Sequence, residues 1–225
     1  MNTTPSSVML ASALALAPAA TGAHPPDPAA RHAVTARLQD GDVIFIRVAN
    51  FVFRHVAETT GSWESHVGIL FSDTNGGWEV AESRVPRAQF TPLAKFIARS
   101  EHGRFCILRL RNELSPAEKL ALRRSAQARV GQWYGLGFNY DSRRQFCSKF
   151  VFDVYREAAG VTIGRLTTFR QLLADNPQAP MWFWRVWFFG RIPWDRRCVT
   201  TTSELQAQNF RPVFDSIIDR QPPAK

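Results

Sequence analysis

The chain has 225 residues, of which 45% are apolar, and it carries a formal net charge of +9. A chain of this length and composition can bury one substantial core, so a single domain over residues 31–225 is favoured over two. Its three cysteines, Cys106, Cys147 and Cys198, are too few and too far apart for a disulfide framework or a zinc site.

The positive charge is compatible with nucleic acid, an anionic membrane surface or an acidic polymer as partner. The basic residues are spread along the chain, however, and the tightest clusters are the separate pairs Arg123-Arg124, Arg143-Arg144 and Arg196-Arg197. No nucleic-acid fold motif accompanies them, so a solvated basic surface is favoured over a nucleic-acid site.

The first residues follow the order of a secretory signal, because an apolar stretch over 8–17 precedes small residues over 18–23. No Lys or Arg follows Met1 in this stretch, so a disordered leader is the alternative. We therefore predict that residues 1–30 are a signal peptide or a disordered leader. Export to the periplasm or envelope is expected, with the cytoplasm as the alternative, and no later apolar run is long enough to span a bilayer.

Strands are predicted where β-branched and aromatic residues cluster between turn residues. These segments are 42–48, 66–71, 78–82 and 105–110. Asn75-Gly76 predicts a hairpin turn between the second and third strands. The turn residues His102-Gly103 are expected to lead into the fourth strand.

Helices are predicted in three places. A short helix over 50–58 follows the first strand. Ser115 with Pro116 and Glu118 has the pattern of a capped helix start, and this helix is expected to run to about Val130. Residues 131–140 show no clear periodicity and are predicted to form a loop.

The third helix begins at Cys147. Apolar residues recur after it at spacings of three and four, and Gly160 is expected to end the helix. The unpaired N–H groups and positive dipole at a helix start favour thiolate over thiol, which makes Cys147 a candidate nucleophile. A packed core cysteine is the alternative, and it is the favoured interpretation for Cys106 in its strand.

A thiol nucleophile needs a base, and His66 is the favoured one among the five histidines. His24 and His32 lie in or near the leader. His55 lies in a basic helical stretch, and His102 lies in a turn. His66 opens the second strand, where its ring can project from the sheet edge towards a helix. A purely structural histidine is the alternative.

Glu82 is the favoured partner for His66. If a five-residue turn pairs Phe71 with Gly77, His66 lies directly opposite Glu82 in the hairpin. Cross-strand neighbours are close enough for their side chains to interact, and a carboxylate bonded to one ring nitrogen fixes the tautomer. The competing carboxylates are Glu79, which lies near the turn, and Glu64, which precedes the second strand.

A tryptophan-rich extension is expected from about residue 176. Residues 181–194 hold four of the seven tryptophans. Because tryptophan combines a large apolar body with a polar N–H, this segment suits peripheral contact with a membrane or a groove for an acyl chain. Packing against the sheet is the alternative.

Four motifs, in this order, resemble the permuted papain-like cysteine hydrolases related to the NlpC cell-wall peptidases, in particular the YiiX-like group. They are G-D-V-I-F at Gly41, S-H-V-G-I at Ser65, A-E-S at Ala81 with T-P-L at Thr91, and F-C-S-K-F-V at Phe146. The resemblance covers roughly residues 38–193. It implies that Cys147 is the nucleophile, His66 the base and Glu82 the third member of a triad.

The resemblance also extends to details near the nucleophile. Residues 131–134 are similar to the G-x-x-Y segment of the group, which implies that Tyr134 lines the substrate site. Phe146 stands where the group has Tyr and removes a hydroxyl near the nucleophile. Lys149 and Phe150 replace a Glu-Leu pair, and neither change removes a proposed catalytic group.

Together these features predict an α+β, circularly permuted papain-like fold in which an antiparallel sheet packs against the helix carrying Cys147. The expected activity is hydrolysis of an amide or ester through an acyl enzyme, without a metal or organic cofactor. Cell-wall peptides and N-acyl or lipid-linked compounds are the expected substrates. A lipid acyltransferase of the same fold, a non-catalytic binding module and a basic membrane-surface or nucleic-acid binder are the alternatives.

Overall fold

The computed structural model describes residues 34–217, so the predicted leader lies outside the described residues. The strands, in chain order, are β1 (Val43–Val48), β2 (His66–Ser72), β3 (Trp78–Ser83), β4 (Ala88–Pro92), β5 (Ser100–Leu110), β6 (Leu166–Thr168), β7 (Arg197–Val199) and β8 (Phe210–Asp215). The helices, in chain order, are α1 (Phe51–Thr60), α2 (Leu93–Ile97), α3 (Pro116–Gln127), α4 (Cys147–Ala159), α5 (Phe169–Asp175), α6 (Met181–Trp187) and α7 (Thr201–Leu205).

Within this range the main sheet has six strands in the order β4-β3-β2-β1-β5-β8, and each neighbouring pair is antiparallel. Strands β6 and β7 form a separate antiparallel pair. The mixture of an antiparallel sheet and packed helices confirms the predicted α+β class. Strand β8 completes the sheet beside β5, so the chain returns to the main sheet after its tryptophan-rich segment.

The two faces of the sheet bury alternate residues of each strand, as the period of two requires. On one face Val67 and Ile69 of β2 belong to the same core cluster as Phe150 of α4. On the opposite face Leu70 packs in a cluster with Phe96 of α2. Helix α4 is therefore held against the centre of the sheet by the apolar stripe that the sequence predicts.

A third cluster lies beside the sheet and is built from the tryptophan-rich segment. Phe183 and Trp184 of α6 are buried in it with Phe169 of α5. The indole N–H of Trp184 donates to Thr59 Oγ1 of α1 at 2.8 Å. One face of the segment is thus packed core, while Trp182 on the other face is exposed.

The fourth predicted strand differs from the structure at its start. His102 and Gly103 were expected to lead into the strand, but β5 already begins at Ser100. The two residues have φ values of 55° and 65° and lie inside β5. The pairing with β1 changes register around them, so they form a bulge rather than an entry turn.

The helix starts follow the sequence closely. At α3, the Ser115 side chain accepts from the Glu118 N–H while the Glu118 side chain binds the Ser115 N–H, which is the predicted capping box. This helix ends at Gln127, before the predicted limit near Val130. Gly160, with φ of 64°, ends α4 as predicted. In the described range, the helices are all too short or too polar to span a bilayer.

Candidate active site

Cys147 is the first residue of α4 and is nearly fully buried. The preceding Phe146 is the N-cap, with an extended backbone and no side-chain hydrogen bond to the helix. The N–H groups of the first turn therefore lack a side-chain cap. The Ser148 N–H donates to the Cys147 sulfur and favours its thiolate form.

His66 and Glu82 meet in the hairpin, although not by the predicted register. The structure pairs Phe71 with Glu79, a shift of two residues from the expected pairing with Gly77. The reason is Asp73, whose N–H donates to the Gly77 carbonyl at 2.9 Å and whose carboxylate accepts from the Gly77 N–H at 2.8 Å. A shift of two keeps side chains on the same face, so His66 Nε2 still lies 2.5 Å from Glu82 Oε2.

The histidine ring lies on the α2 face of the sheet, because strand alternation separates His66 from Val67. Its ring centroid is 5.6 Å from that of Phe96, which belongs to the cluster on that face. Cys147 belongs to the cluster on the α4 face. The two side chains nevertheless interact, since Cys147 raises the pKa of the His66 imidazole.

Glu82 is fully buried and bonded through both oxygens. Besides the contact with His66, its Oε1 accepts from Thr91 Oγ1 at 2.6 Å. Arg99 Nη2 lies 2.7 Å from each oxygen. Burial would raise the pKa of this carboxyl, but the hydrogen bond and charge of His66 together with Arg99 lower it to about 2.

The charge state of the pair Cys147 and His66 follows from the same contacts. Burial would lower the pKa of the imidazole, but hydrogen bonds and charge interactions with Cys147 and Glu82 raise it from 6.5 to about 9. Burial would likewise raise the pKa of the thiol, and the interaction with His66 lowers it. These opposite shifts favour transfer of the thiol proton to the imidazole, which gives a thiolate–imidazolium pair.

The geometry of the ring leaves one nitrogen for the sulfur. Because Glu82 occupies Nε2, Nδ1 is the nitrogen available to Cys147. Nδ1 of His66 is buried, and among the described residues it has no partner in full hydrogen-bond geometry. The sulfur is nevertheless near enough to change the pKa of the ring.

Tyr134 also lies close to the sulfur. Its hydroxyl donates towards Cys147 Sγ at 4.0 Å. The loop that carries it is fixed by a hydrogen bond from the Tyr134 N–H to the Pro86 carbonyl at 2.9 Å. Burial and the nearby thiolate raise the pKa of Tyr134 well above its usual value, so the hydroxyl stays protonated and can donate.

The competing candidates lie elsewhere. Glu79 pairs with Arg123 at 3.0 Å on the far part of the hairpin. Glu64 is buried and bonds to Thr202 Oγ1 at 2.8 Å. Cys106 is buried in the sheet core, and burial and nearby acidic groups raise the pKa of its thiol.

Three residues of the site were not predicted. Thr91 and Arg99 hold Glu82, and the T-P-L motif at Thr91 was the available signal for the first of them. Glu204 of α7 is fully buried, and in residues 34–217 neither of its carboxyl oxygens has a hydrogen-bond partner. Burial, followed by the charges of Cys147 and Glu64, raises the pKa of Glu204 well above its usual value.

Lys149, which stands where the resembling group has a glutamate, donates hydrogen bonds that a carboxylate could not. It is buried, and its Nζ donates to the Ser142 carbonyl at 2.5 Å and to the Arg144 carbonyl at 3.4 Å. It therefore ties the loop before α4 to the helix that carries the nucleophile. Phe146 is also buried and packs edge-on against Phe138 at a centroid distance of 5.8 Å.

Comparisons with known proteins place these features in a family. Residues 37–214 match the family model described as permuted papain-like amidase enzyme, YaeF/YiiX, C92 family. YiiX of Escherichia coli K12 is 29% identical over 140 residues, which are 62% of this chain and 68% of YiiX. A crystal structure of YiiX from Escherichia coli O157:H7, described there as a metalloprotein, is similar with a TM-score of 0.74 and 26% identity, covering 80% of this chain and 98% of that chain.

The description of the crystallised YiiX as a metalloprotein makes the metal ligands of this chain relevant. In the part of the chain that the structure describes, no group of three or more His, Cys, Asp or Glu side chains is placed to hold a metal ion. Glu82 is already engaged by His66, Thr91 and Arg99. The described residues therefore do not fit a metal centre.

The family match begins before β1 and ends within β8, and so includes all the residues assembled around Cys147. The solved YiiX structure shares the fold over most of this chain. The protein therefore belongs to the family of permuted papain-like amidases, YaeF/YiiX, C92, and is a cysteine hydrolase of the amidase type.

Proposed function

We propose that this protein hydrolyses amide bonds through a triad of Cys147, His66 and Glu82 and an acyl-enzyme intermediate. The observation that carries the proposal is the buried cluster in which a helix-start cysteine couples to a histidine held by a carboxylate. Strongly shifted pKa values with identified charge partners are typical of catalytic groups. Ester bonds are a secondary substrate of the same chemistry.

In the first half-reaction the Cys147 thiolate attacks the carbonyl carbon and forms a C–S bond. The His66 imidazolium transfers its proton to the amide nitrogen as the C–N bond breaks, and the amine leaves. In the second half-reaction His66 takes a proton from water, which attacks the thioester carbonyl. The carboxylic acid leaves, and the thiolate–imidazolium pair forms again.

Glu82 positions the imidazole throughout this cycle. Its bond to Nε2 fixes the ring so that Nδ1 faces the sulfur, and its charge stabilises the imidazolium. Arg99 and Thr91 hold the carboxylate in turn. The base is therefore rigid before substrate binds, which lowers the cost of reaching the reactive geometry.

The tetrahedral oxyanion needs hydrogen-bond donors near the sulfur. The Cys147 N–H lies at the start of α4, where the helix dipole also favours negative charge. Tyr134 supplies the second donor, since its hydroxyl is protonated and already directed towards the sulfur. Tyr134 is thus a substrate-contacting residue in this proposal.

Hydrolysis of chromogenic amides and esters tests the proposal. We expect Cys147→Ala to lose at least about 10³-fold in kcat/KM and to keep its fold, because only a small buried side chain is truncated. Cys106→Ala is the matched control and should retain activity. Turnover that survives in Cys147→Ala would move the nucleophile elsewhere, and absence of turnover in the wild type with an unreactive Cys147 would support the binding-module alternative.

We also propose that the exposed side of the tryptophan-rich segment makes peripheral contact with an anionic membrane. Trp182 and Val186 lie one turn apart on the outer face of α6, and Phe189, which follows, is 94% exposed. Arg185 and Arg191 are exposed beside them. Apolar and aromatic side chains with neighbouring basic residues suit the interface of an anionic bilayer.

Sedimentation with vesicles that contain phosphatidylglycerol tests this contact. We expect Phe189→Asp to weaken binding by about tenfold, because a charge replaces an exposed aromatic ring. Leu120→Asp, at an exposed apolar position of α3, is the matched control and should bind as the wild type does. Equal binding by all three proteins would reject the contact. Point variants are preferred to deletion of the whole segment, because Phe183 and Trp184 belong to the core.

Export is proposed from the apolar leader alone. The N-terminus of the protein recovered from its native host should begin near His24. An intact Met1 on the mature protein would contradict export.

A further inference from the structure

A groove of about 450 Å³ opens at the end of the main sheet where β5 carries its bulge. Arg47 of β1 lines it together with His102 and Arg104 of β5. Trp63, which lies between α1 and β2, and Ile217, which follows β8, complete the wall on the other sides. The volume is within the range of small-molecule sites, and the mechanism proposed above uses none of these residues.

The backbone on one side of the groove has an uncommon conformation. His102 and Gly103 have φ values of 55° and 65°, in the left-handed region that a histidine rarely adopts. The bulge leaves the His102 side chain exposed on the groove wall. Bulges redirect side chains, and strained backbone of this kind is concentrated at functional sites. The conformation of β5 therefore marks the groove as a candidate binding site.

Arg104 provides a cation that has no anionic partner in the protein. Its guanidinium carbon lies 4.0 Å from the centroid of the Trp63 ring, so a cation–π contact fixes its position. Within residues 34–217 its Nε is buried without a hydrogen-bond partner, and no carboxylate forms an ion pair with the guanidinium. An arginine that is held in place while its donors lack protein partners is suited to bind an oxyanion.

The carboxylate on the groove wall, Glu101, is already engaged by other residues. Arg47 Nε lies 2.7 Å from Glu101 Oε2, and Arg54 Nη2 lies 2.9 Å from Glu101 Oε1. Arg47 Nη1 also donates to the Trp63 carbonyl at 3.3 Å. Glu101 is thus shared by two arginines and is not available to Arg104.

The rest of the wall adds an apolar flank and a hydroxyl. Trp63 packs against the core cluster on the α4 face of the sheet, and Ile217 is 46% exposed. Ser216 also lines the groove, and its Oγ accepts from the Phe105 N–H at 2.9 Å. The accepting hydroxyl keeps its own hydrogen for donation to a ligand.

We infer that this groove binds a small soluble organic anion whose carboxylate or phosphate pairs with Arg104 and whose apolar part lies against Trp63 and Ile217. The planar guanidinium presents paired N–H donors that match two oxygens of either group, so both groups fit the same site. The inference goes beyond the amidase activity, because it concerns a ligand held away from Cys147.

NMR titration of the isotope-labelled protein tests the inference. Hexanoate and hexyl phosphate are the anionic probes, and hexanamide is the neutral control of the same chain length. We expect the amide signals of Gly103 and Arg104 to shift and saturate with at least one anion, and hexanamide to bind about tenfold more weakly, because it forms no ion pair. A response to one anion alone identifies the group. Absence of saturable shifts with both anions, or equal affinity for hexanamide, would overturn the inference.

A pair of arginine variants locates the ion pair. Arg104→Gln should weaken binding of the anion by about tenfold and leave hexanamide binding unchanged. Arg124→Gln is the matched control, since it removes the same charge from an exposed position of α3 and should bind as the wild type does. Equal affinity of Arg104→Gln and the wild type would overturn the inference.

Arg104 also packs on Trp63, so a second pair of variants leaves it in place. Ile217→Glu puts a carboxylate on the exposed edge of the groove, and Ile217→Gln puts a neutral side chain of similar shape there. The anion should bind about tenfold more weakly to Ile217→Glu than to Ile217→Gln, because like charges repel. Equal affinities of these two variants would contradict an anion site in the groove.

Sedimentation with vesicles that contain phosphatidylglycerol distinguishes a soluble anion from a lipid head group, which carries the same phosphate chemistry. Arg104→Gln should sediment with the vesicles as the wild type does. Weaker sedimentation of Arg104→Gln, with Arg124→Gln unchanged, would overturn the soluble ligand and assign the groove to a lipid head group.

Discussion

Glu82 and Glu204 are both fully buried near Cys147, and their surroundings differ sharply. Glu82, on the sheet side, is bonded through both oxygens to His66, Thr91 and Arg99. Glu204, on the α7 side, has no hydrogen-bond partner on either oxygen among residues 34–217. The pKa of Glu82 is lowered to about 2, whereas burial raises the pKa of Glu204 well above its usual value.

The difference shows that partners decide whether a buried carboxyl carries charge. Burial raises the pKa of both carboxyls, and of the two only Glu82 has the cations and donors that reverse this effect. Cys147 therefore has charged groups on one side, which stabilise the thiolate–imidazolium pair, and on the other side Glu204, whose charged form burial disfavours.

The largest expected effect comes from removing the cation beside Cys147. His66→Ala should lower kcat/KM by at least about 10³-fold, because the thiol loses the group that lowers its pKa and the amine loses its proton donor. His55→Ala is the matched control, since His55 contacts Glu58 on α1 and lies outside the site. Steady-state hydrolysis of an amide gives the comparison, and similar losses in both variants would contradict the assigned base.

A smaller loss of activity is expected when Glu82 is replaced, and replacement of Glu204 provides the direct comparison. Glu82→Gln should lower kcat by about 10²-fold, because a neutral amide no longer stabilises the imidazolium. Glu204→Gln replaces one neutral group by another and should leave kcat within about twofold of the wild type. Both variants are measured at saturating substrate after circular dichroism has established the fold. A larger loss in Glu204→Gln than in Glu82→Gln would reverse the comparison.

The smallest expected effect concerns stability. The pKa of Glu204 is higher in the folded state than in the unfolded state, so folding takes up a proton at pH values above the ordinary glutamate pKa. The free energy of unfolding should therefore fall as pH rises from the unfolded-state pKa towards the folded-state pKa. Glu204→Gln removes this titrating group, so the slope of the free energy of unfolding against pH should become less steep by up to about 1.4 kcal/mol per pH unit.

Urea unfolding of Glu204→Gln and wild type between about pH 5 and pH 8 measures that slope. Glu64 also has a raised pKa, so part of the fall should persist in the variant. Parallel curves for the two proteins would show that Glu204 titrates normally.

The hairpin illustrates how far local sequence determines the site. Two strands around Asn75-Gly76 were sufficient to predict that His66 meets Glu82. The register was wrong by two residues because Asp73 closes the turn through its own N–H and carboxylate. The contact survived since a period of two returns both side chains to the same face.

The residues around this contact were harder to predict. Arg99 reaches Glu82 from the end of α2, and nothing in the spacing of an isolated arginine indicates a buried partner. Glu204 lies beyond a segment of short helices and strands, whose positions depend on packing between distant parts of the chain. The tail itself was assigned no elements, because its dense aromatic residues lack a single period.

The pH dependence of Cys147 alkylation by iodoacetamide tests the thiolate–imidazolium pair most directly. If His66 stabilises the thiolate, the wild-type rate should be nearly independent of pH between about 6 and 8, and the His66→Ala rate should be lower and rise about tenfold per pH unit in that range. Peptide mass spectrometry assigns the modified cysteine. A wild-type rate that rises with pH as steeply as that of His66→Ala would show an ordinary thiol at Cys147 and contradict the proposed catalytic pair.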